Sequence, residues 1–379
     1  MNKLDLDYQN LLKDILENGV KKEVTRNGGT LSVFGRTIRH KMSDGFPLLT
    51  SKKMYTKGII TELLWFLRGE TSIEYLLKND CNIWTGDAYK RFDKRFNSCC
   101  EIDEMLTKEE FIERIKTDPV FADKWGELGS IYGKQWRYWR AIDDSEMRIH
   151  TYEIDQIQNL INDLNHNPDS RRLMVNAWNV AEIEDMVLPP CHYGFQCYTR
   201  ELTNKERMDY WFKRNKPNRD VCDDVDNFDI SEQHKYFDEV GIPKRAISLI
   251  WNQRSVDTPL GLPFNIASYG FLLCLLGHLT NMVPDELIGN LGDTHIYLNQ
   301  LNGVNEQINR VSHDLPSLYI NSEFWLPNWD DPKVQEVGCS NRPGSFSNNF
   351  DALIKGIEVD DFIINNYVSE PTIKFPLSN

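Results

Sequence analysis

Hydrophobic and polar positions along the chain switch between helix-like and strand-like spacing. Apolar residues recur at helical spacing from Leu4 to Asn18 and from Ile154 to Leu164, which predicts two amphipathic helices. We expect Gly19 to end the first helix as a left-handed cap and Asn167-Pro168 to end the second. Strands are predicted at Thr30–Phe34, Arg36–Met42, Leu173–Trp178, Tyr193–Thr199, Ala246–Trp251, Asp285–Tyr297 and Leu318–Asn321. This order predicts an α/β protein with a large, mostly buried sheet and helices packed against it.

Two very apolar stretches are predicted to be buried helices. The stretch Phe264–Met282 carries Asn265 and His278 among its apolar residues, which favours a core helix over a membrane span. The run after Gly58 contains a single acid, Glu62. A carboxylate buried among apolar side chains costs on the order of several kcal/mol unless it is paired or neutralised. Glu62 therefore belongs either to a hydrogen-bond network or to an active site.

Two charged segments interrupt this pattern. Residues 85–124 and 203–244 have little periodicity and many polar side chains. We expect a modest helix around Lys108–Lys116 in the first, a helix at Thr203–Asn215 in the second, and loop-like structure elsewhere. We interpret both segments as surface insertions into one domain that spans residues 1–379.

Composition and charge limit the classes of function. The chain has 379 residues and a net charge of −14, which argues against a broad nucleic-acid-binding surface. An anionic ligand must then be held by a local cluster of arginines. The start of the chain lacks an apolar run of signal-peptide length, so we expect a soluble, cytoplasmic protein without a membrane segment. The eight cysteines are predicted to be reduced, and their spacing predicts no metal site.

The stretch Leu188–Tyr198 contains the strongest candidate for chemistry. Pro189 and Pro190 lack backbone donors and lead stiffly into a buried strand, with Cys191 at its mouth. A thiol held there is well placed to attack a ligand, although a packed, inert cysteine would have the same local sequence. The adjacent pair Arg171-Arg172 enters another strand and would suit a phosphate, or it is simply solvated.

Four motifs occur together and in a fixed order. They are Pro-Pro-Cys-His (189–192), Gln-Arg-Ser-x-Asp (253–257), Leu-Gly-Leu-Pro-Phe-Asn-Ile-Ala-Ser-Tyr (260–269) and Gly-Asp-x-His-x-Tyr (292–297). With these motifs the chain resembles the thymidylate synthase family, folate-dependent enzymes that methylate deoxyuridylate (dUMP). The resemblance implies that the Cys191 thiolate, favoured by Arg254, adds to the uracil ring. It also implies 5,10-methylenetetrahydrofolate as the one-carbon donor and reductant, dihydrofolate as the by-product, and no metal.

The resemblance also implies roles for individual residues. Catalytic roles fall on Cys191, Glu62, Tyr132, His192, Asp257 and Asn265. Contacts to dUMP fall on Arg26, Arg171, Arg172, Gln253, Arg254, Ser255, Asp257, Asn265, His295 and Tyr297. Contacts to the folate fall on Lys52, Trp84, Asp257, Gly261 and Asn379. Arg171 and Arg172 would reach the site of a second subunit, which implies a homodimer formed through the face of the sheet.

Asn265 and Glu62 have the clearest chemical reasons for their implied roles. The Asn265 amide offers an acceptor and two donors, so it can meet the ring N–H and a carbonyl of uracil together. Burial would raise the pKa of Glu62 and suit it to proton transfer.

Three positions depart from the family pattern. The loop of Arg26 is one residue shorter than usual, an aromatic residue usually found after Trp84 is missing, and the chain ends in Ser378-Asn379 rather than a small apolar pair. The missing aromatic keeps open a deoxyuridylate hydroxymethylase, in which water captures the intermediate before hydride does.

Two further alternatives fit the sequence less well. A cysteine hydrolase using Cys191 with His192 is disfavoured because consecutive strand residues point to opposite faces. A non-catalytic RNA-binding protein is disfavoured by the acidic composition and the lack of aromatic–basic stripes, so nucleic acid is not expected to be the main partner.

Overall fold

The computed structural model describes residues 2–23, 28–98, 105–143, 150–215, 225, 227–321 and 350–376. The strands are β1 Val20–Lys22, β2 Thr30–Lys41, β3 Trp139–Asp143, β4 His150–Ile154, β5 Met174–Asn176, β6 His192–Glu201, β7 Arg245–Asp257, β8 Met282–Tyr297, β9 Ser317–Ile320 and β10 Phe362–Asn365. The helices are α1 Lys3–Asn18, α2 Thr56–Leu67, α3 Glu74–Lys78, α4 Thr85–Ser98, α5 Lys108–Thr117, α6 Pro119–Trp125, α7 Tyr132–Arg137, α8 Gln156–His166, α9 Asn204–Asn215, α10 Ile230–Glu239, α11 Gly261–Leu279, α12 Leu301–Gln307 and α13 Phe350–Gly356.

Six strands form one mixed sheet in the order β1-β2-β8-β7-β6-β5. The pair β7–β8 is parallel and the other neighbouring pairs are antiparallel. A parallel pair needs a long crossover, and α11 supplies it between the two central strands. The hairpins β3–β4 and β9–β10 form separate two-stranded sheets. The predicted mixed α/β fold with a large sheet and flanking helices is therefore confirmed.

Helix α11 is the central buried helix of the fold. It is long and apolar enough to cross a membrane, with a mean hydropathy of 1.4, and it is the one such helix in the described part of the chain. However, 72% of that stretch is buried within the protein. Its contacts with α2, β7 and β8 make it a core helix, as predicted.

The opposite face of the sheet is partly open. Large apolar side chains on β2, β5 and β6 are exposed within one chain, among them Phe34 (82% exposed), Tyr198 (66%) and Met174 (55%). Exposed and buried positions alternate over much of β2 and β6, so this face carries uncovered apolar side chains among polar ones such as Arg39 and Asn176.

Two local predictions near the N-terminus were wrong. Gly19 does not cap α1 in a left-handed conformation, because its φ is −68° and its ψ is 131°. A Cβ atom there would lie 2.2 Å from the carbonyl oxygen of Ile15, so the tight exit from the helix excludes a side chain. The two strands predicted around Gly35 form one strand, β2, in which Gly35 adopts a positive φ of 72°.

The first charged segment is more ordered than its sequence suggested. Residues 85–98 and 105–125 form α4, α5 and α6 rather than loops with a single helix. A few aromatic residues per helix pack into the main core: Phe92, Phe111, Phe121 and Trp125. The many charges on the exposed faces concealed this narrow apolar stripe. That the segment is an insertion remains a prediction.

The second charged segment builds a small core of its own. Helices α9 and α10 enclose a cluster formed by Trp211, Val225, Phe237 and Ile242. The buried guanidinium of Arg207 donates hydrogen bonds to Asp238 and to the carbonyls of Ile242 and Pro243. The predicted helix at 203–215 is confirmed, and α10 was missed because its apolar residues are few. Its status as an insertion, and the single domain over 1–379, stay predictions.

Candidate active site

The candidate site lies where β6 begins and β7 ends. Cys191 is partly exposed immediately before β6, and its carbonyl accepts a hydrogen bond from the backbone N–H of Arg254 at 2.8 Å. On the other side, the Cys191 N–H donates to the hydroxyl of Tyr132 at 2.8 Å. A β-bulge follows His192, whose register partner on β7 is Gln253. The backbone of Cys191 is thus fixed on both sides, and the residue lies at the start of β6, as the sequence predicted.

Arg254 is held by the two residues that precede the cysteine. Its Nε donates to the carbonyl of Pro190 at 2.9 Å, and its Nη2 donates to the carbonyl of Pro189 at 3.0 Å. The guanidinium also lies 5.3 Å from the ring centroid of Trp178, in cation–π range. It borders an open cavity of about 450 Å³ on the exposed face of the sheet. An oriented cation beside the thiol-bearing loop is what a phosphate site and an activated thiol both require.

Glu62 lies on α2 among fully buried apolar residues. Burial raises the pKa of its carboxyl from the ordinary 4.5 to about 7, and a hydrogen bond from Trp84 opposes part of this rise. In that bond the Trp84 indole N–H donates to Oε1 of Glu62 at 2.7 Å. Glu62 is half-buried, which agrees with the expected direction of its pKa, and a carboxyl with a pKa near neutrality can both give and take a proton.

His192 is enclosed by aromatic rings. Its ring stacks on Tyr132 at 4.3 Å between centroids, and its Nδ1 is 2.8 Å from the hydroxyl of Tyr269. Burial lowers the pKa of His192 to about 3, so the ring is neutral at physiological pH. Burial likewise raises the pKa of Tyr132 well above its usual value. These rings therefore act as neutral hydrogen-bonding groups beside Cys191.

Gln253 joins Asn265 to the strand. Its Nε2 donates to Oδ1 of Asn265 at 3.1 Å and to the carbonyl of Ser255 at 3.1 Å. Its Oε1 accepts from the indole of Trp251 at 3.1 Å. Asn265 projects from the first turns of α11 and remains partly accessible. Gln253 thus links Asn265 on α11 to β7, one residue before Arg254.

Asp257 lies at the end of β7, close to the start of α11. Its carboxylate accepts hydrogen bonds from the Leu260 N–H and from Nε2 of Gln300. Burial raises the pKa of Asp257, while His295 and Lys52 oppose that rise. A Cβ atom at Gly261 would lie 3.7 Å from the Asp257 Cβ and 3.9 Å from Oδ1 of Asn265, so Gly261 borders the same space.

Lys52 lies beneath the C-terminal tail. Its Nζ donates to the carbonyl of Pro259 and lies 4.8 Å from the ring centroid of Phe375. Burial lowers the pKa of Lys52 to about 7, although Asp257 opposes that change. The tail is fastened nearby by Tyr367, whose hydroxyl donates to the carbonyl of Leu49. Lys52 and Asp257 therefore interact electrostatically under a tail that packs over them.

Three of the predicted dUMP contacts, Ser255, His295 and Tyr297, lie on β8 and the adjacent end of β7. His295 is the parallel register partner of Asp257, and Ser255 is the partner of Asp293. The rings of His295 and Tyr297 meet edge to face at 5.0 Å. Both therefore lie next to Asp257, at the same end of the sheet as Cys191.

Arg171 and Arg172 are the described candidates that the structure does not bring to this site within one chain. Both are exposed in the turn before β5, the edge strand of the six-stranded sheet. The hydrogen bonds described for them join their backbone to Gln196, Ser170 and Met174. Arg26 and Asn379 lie outside the described residues.

Several residues of this network were not predicted. Tyr269, Trp251 and Gln300 each contact a candidate side chain, yet the sequence assigned them no role. Tyr269 is the last residue of the Leu-Gly-Leu-Pro-Phe-Asn-Ile-Ala-Ser-Tyr motif, which could have drawn attention to it. Nothing in the local sequence marks Trp251 or Gln300, because their roles depend on contacts across the fold.

Comparison with known proteins agrees with this geometry. The family model for thymidylate synthase matches residues 6–379. A thymidylate synthase of Mycoplasma mobile is 41% identical over 87% of this chain and 93% of its own length. Those of Mesoplasma florum (38% identical, 83% of this chain, 89% of its own) and Listeria monocytogenes serotype 4b (34%, 98% and 99%) are similar.

The matches extend over most of the chain and include the segments that build the site. They confirm the predicted methyltransferase class, the thymidylate synthase activity and the use of methylenetetrahydrofolate, and they do not favour the hydroxymethylase alternative. The chain belongs to the thymidylate synthase family.

Proposed function

We propose that Cys191 is the nucleophile that converts dUMP to thymidylate. Its thiolate adds to C6 of the uracil ring, and the electron pair moves to give an enolate that is nucleophilic at C5. C5 then bonds to the methylene carbon of the folate. Loss of the C5 proton and of the folate leaves an exocyclic methylene. Hydride from tetrahydrofolate reduces it to methyl as the thiolate departs, yielding dihydrofolate.

The fixed backbone of Cys191 is the observation that carries this proposal. Hydrogen bonds to Tyr132 and Arg254 hold the residue at 2.8 Å on each side, so the thiol has a defined position relative to a bound ring. The positive charge of Arg254 favours a thiolate nearby and can also hold the phosphate of dUMP. Ser255 follows Arg254 on the strand and supplies a hydroxyl to the same end of the nucleotide.

Glu62 is proposed to handle protons at the base. With a pKa of about 7 it can protonate or deprotonate groups on the ring during each turnover. The neutral rings of Tyr132 and His192 order water through which Glu62 can exchange protons with the base, and they add no charge. Asn265, oriented by Gln253, pairs with the ring N–H and the adjacent carbonyl, which distinguishes uracil from cytosine.

The sugar and the folate are proposed to bind on either side of Asp257. His295 and Tyr297 face the sugar hydroxyl, while Asp257 and Gly261 border the folate ring. Trp84 supplies an apolar wall that is fixed by its bond to Glu62. Lys52 lies under the tail, and closure of the tail, ending at Asn379, would exclude water from the reacting groups.

A homodimer would complete the phosphate site. Arg171 and Arg172 are exposed near the edge of the open sheet face, and Phe34, Tyr198 and Met174 give that face an apolar character. Two copies packed through it would bury those side chains and carry the arginines of one subunit toward Arg254 of the other. A cytoplasmic location is part of the same proposal.

The direct test replaces the nucleophile. With dUMP and methylenetetrahydrofolate, we expect Cys191→Ser to abolish dihydrofolate formation, measured by absorbance, while dUMP still binds in calorimetry. Cys197→Ala is the matched control, since Cys197 lies on β6, the strand that Cys191 precedes, and its burial raises its pKa to about 12. Substantial turnover by the Cys191→Ser variant would remove Cys191 from this role.

A further inference from the structure

We propose that Trp251 is a positioning residue that sets the selectivity for uracil over cytosine. The inference rests on the proposed recognition of the base by Asn265 and adds a residue that does not itself contact the substrate. Trp251 is 1% exposed in the middle of β7, and its ring stacks on Tyr269 with centroids 5.3 Å apart and planes inclined by 8°. The stacking keeps the indole in one orientation.

The indole determines which way the Gln253 amide points. An indole N–H can only donate, so the atom of Gln253 that lies 3.1 Å from it must be the carbonyl oxygen. The amide nitrogen then faces the opposite way, toward Oδ1 of Asn265 and the backbone carbonyl of Ser255. The Ser255 carbonyl can only accept, so it favours the same orientation.

The orientation of Gln253 in turn determines that of Asn265. If the Asn265 amide rotated by half a turn, its NH₂ group would face the NH₂ group of Gln253, and two donors cannot bond to each other. Asn265 therefore keeps its oxygen toward Gln253. Its own NH₂ group and the second lone pair of its oxygen remain to meet a base.

This arrangement matches the edge of uracil. Uracil presents a carbonyl acceptor at C4 and an N–H donor at N3, whereas cytosine presents an amino donor at C4 and an acceptor at N3. An asparagine whose amide cannot rotate pairs with the first pattern and opposes the second. An asparagine free to rotate could serve both. Trp251, linked to the base through Gln253 and Asn265 by three successive hydrogen bonds, thus contributes to the discrimination.

A glycine on the neighbouring strand leaves room for the indole of Trp251. Its parallel register partner on β8 is Gly289, and a Cβ atom there would lie 2.3 Å from Cζ2 of the indole. Gly289 has an ordinary backbone conformation for a strand, so the requirement is one of space. A side chain at 289 would displace the indole from Gln253.

The first test is Trp251→Phe in the full-length protein. Phenylalanine can still stack on Tyr269 but has no N–H. Dissociation constants for dUMP and dCMP, measured by calorimetry, give a selectivity ratio. We expect that ratio to fall about fivefold, the effect of one neutral hydrogen bond, with most of the change in dUMP binding. The control is Trp211→Phe, a buried tryptophan of the α9–α10 core, which should leave the ratio unchanged.

The second test reverses the orientation that residue 253 imposes on Asn265. It leaves Trp251 unchanged, so it does not depend on how the Trp251→Phe variant folds. In Gln253→Glu a carboxylate that only accepts would face Asn265, so the Asn265 amide should turn its NH₂ group toward it. The ratio should then move further toward dCMP than in Trp251→Phe. Equal losses for both nucleotides in both variants, with the ratio of the unmodified protein retained, would overturn the inference. Failure of the proposed function would instead appear as no preference for dUMP in the unmodified protein.

Discussion

Helices α2 and α7 pack together and carry two buried polar centres with opposite chemistry. At one end, Glu62 of α2 lies near Tyr132 of α7. The Glu62 carboxyl accepts a hydrogen bond from the neutral indole of Trp84. At the other end the Arg137 guanidinium, 2% exposed, donates to the carbonyl of Leu67 and pairs with two carboxylates. Burial shifts the pKa of Glu62 to about 7. The charge at Arg137 is compensated, whereas the carboxyl at Glu62 stays poised between two protonation states.

The difference separates stability from reactivity within one helix pair. A buried ion with several partners is costly to disrupt and has little freedom to change its charge. A buried carboxyl without a cationic partner favours the neutral form, and its proton is exchangeable near physiological pH. The four variants and conditions below test whether the two centres behave in these separate ways.

Replacing Glu62 by glutamine should have the largest effect, and it should be on catalysis. An amide cannot transfer the proton, so we expect kcat to fall by about 10²- to 10⁴-fold. The free energy of unfolding should stay the same or rise, because no ionised group is then buried. Dihydrofolate absorbance and urea unfolding measure the two quantities. A variant that lost stability rather than turnover would assign Glu62 a structural role.

Replacing Arg137 by methionine should have the converse effect. Removal of one partner leaves Asp155 and the Leu67 carbonyl without their buried donor, so we expect the free energy of unfolding to fall by about 3 to 5 kcal/mol. The fraction that remains folded should keep its kcat within about twofold. Urea unfolding and turnover per folded molecule provide the check. A drop in kcat as large as that of Glu62→Gln would erase the distinction between the centres.

A change of pH should alter the charge of Glu62 in the folded protein. The folded-state pKa of Glu62, about 7, lies above its ordinary value of 4.5. The unfolded chain therefore loses this proton first as pH rises, and stability decreases between about 4.5 and 7 with a slope of up to about 1.4 kcal/mol per pH unit. Below that range the contribution is constant. Comparing the urea midpoints of the unmodified protein and Glu62→Gln across this range isolates it, since the glutamine variant should lack that part of the slope.

An exposed ion pair should have the smallest effect on the free energy of unfolding. Lys78 and Glu74 form an i,i+4 pair on α3 at 2.6 Å, and the lysine side chain is 54% exposed. Lys78→Ala should change the free energy of unfolding by less than about 0.5 kcal/mol and leave kcat unchanged. Urea unfolding would detect a larger loss, which would mean that charge pairs in this protein are not ranked by burial.

The sequence predicted the groups that perform chemistry better than those that orient them. Cys191 stands out because two prolines lead into an apolar strand, and Glu62 because it is the one acid in an apolar run. The stacking of Tyr269 on Trp251 joins β7 to α11, and no local pattern encodes such a contact. Similarly, no local pattern indicates that Arg171 and Arg172 lie in an exposed turn before β5, away from the other described candidates of the same chain.

The helical segment α4–α6 illustrates the other limit of prediction. Its sequence is dominated by charge, and it is anchored to the core mainly by four aromatic residues, with a few smaller apolar residues beside them: Phe92, Phe111, Phe121 and Trp125. One apolar residue per helical turn is a weak pattern, because a solvated loop can show similar spacing by chance. Capping was the better signal, since Thr107 and Glu110 form a capping box and Asp118 caps the next helix.

In the phosphate site proposed above, the two proline carbonyls that hold Arg254 have a consequence for how tightly an anion can bind. A mobile arginine side chain ordinarily loses rotamer entropy when it binds a ligand, at a free-energy cost of about 2 kcal/mol. Here that freedom is lost while the chain folds, because Pro189 and Pro190 clamp the guanidinium beforehand. Nucleotide association should accordingly carry a small entropic penalty from this side chain, and loosening the diproline would weaken the complex without touching any ligand atom.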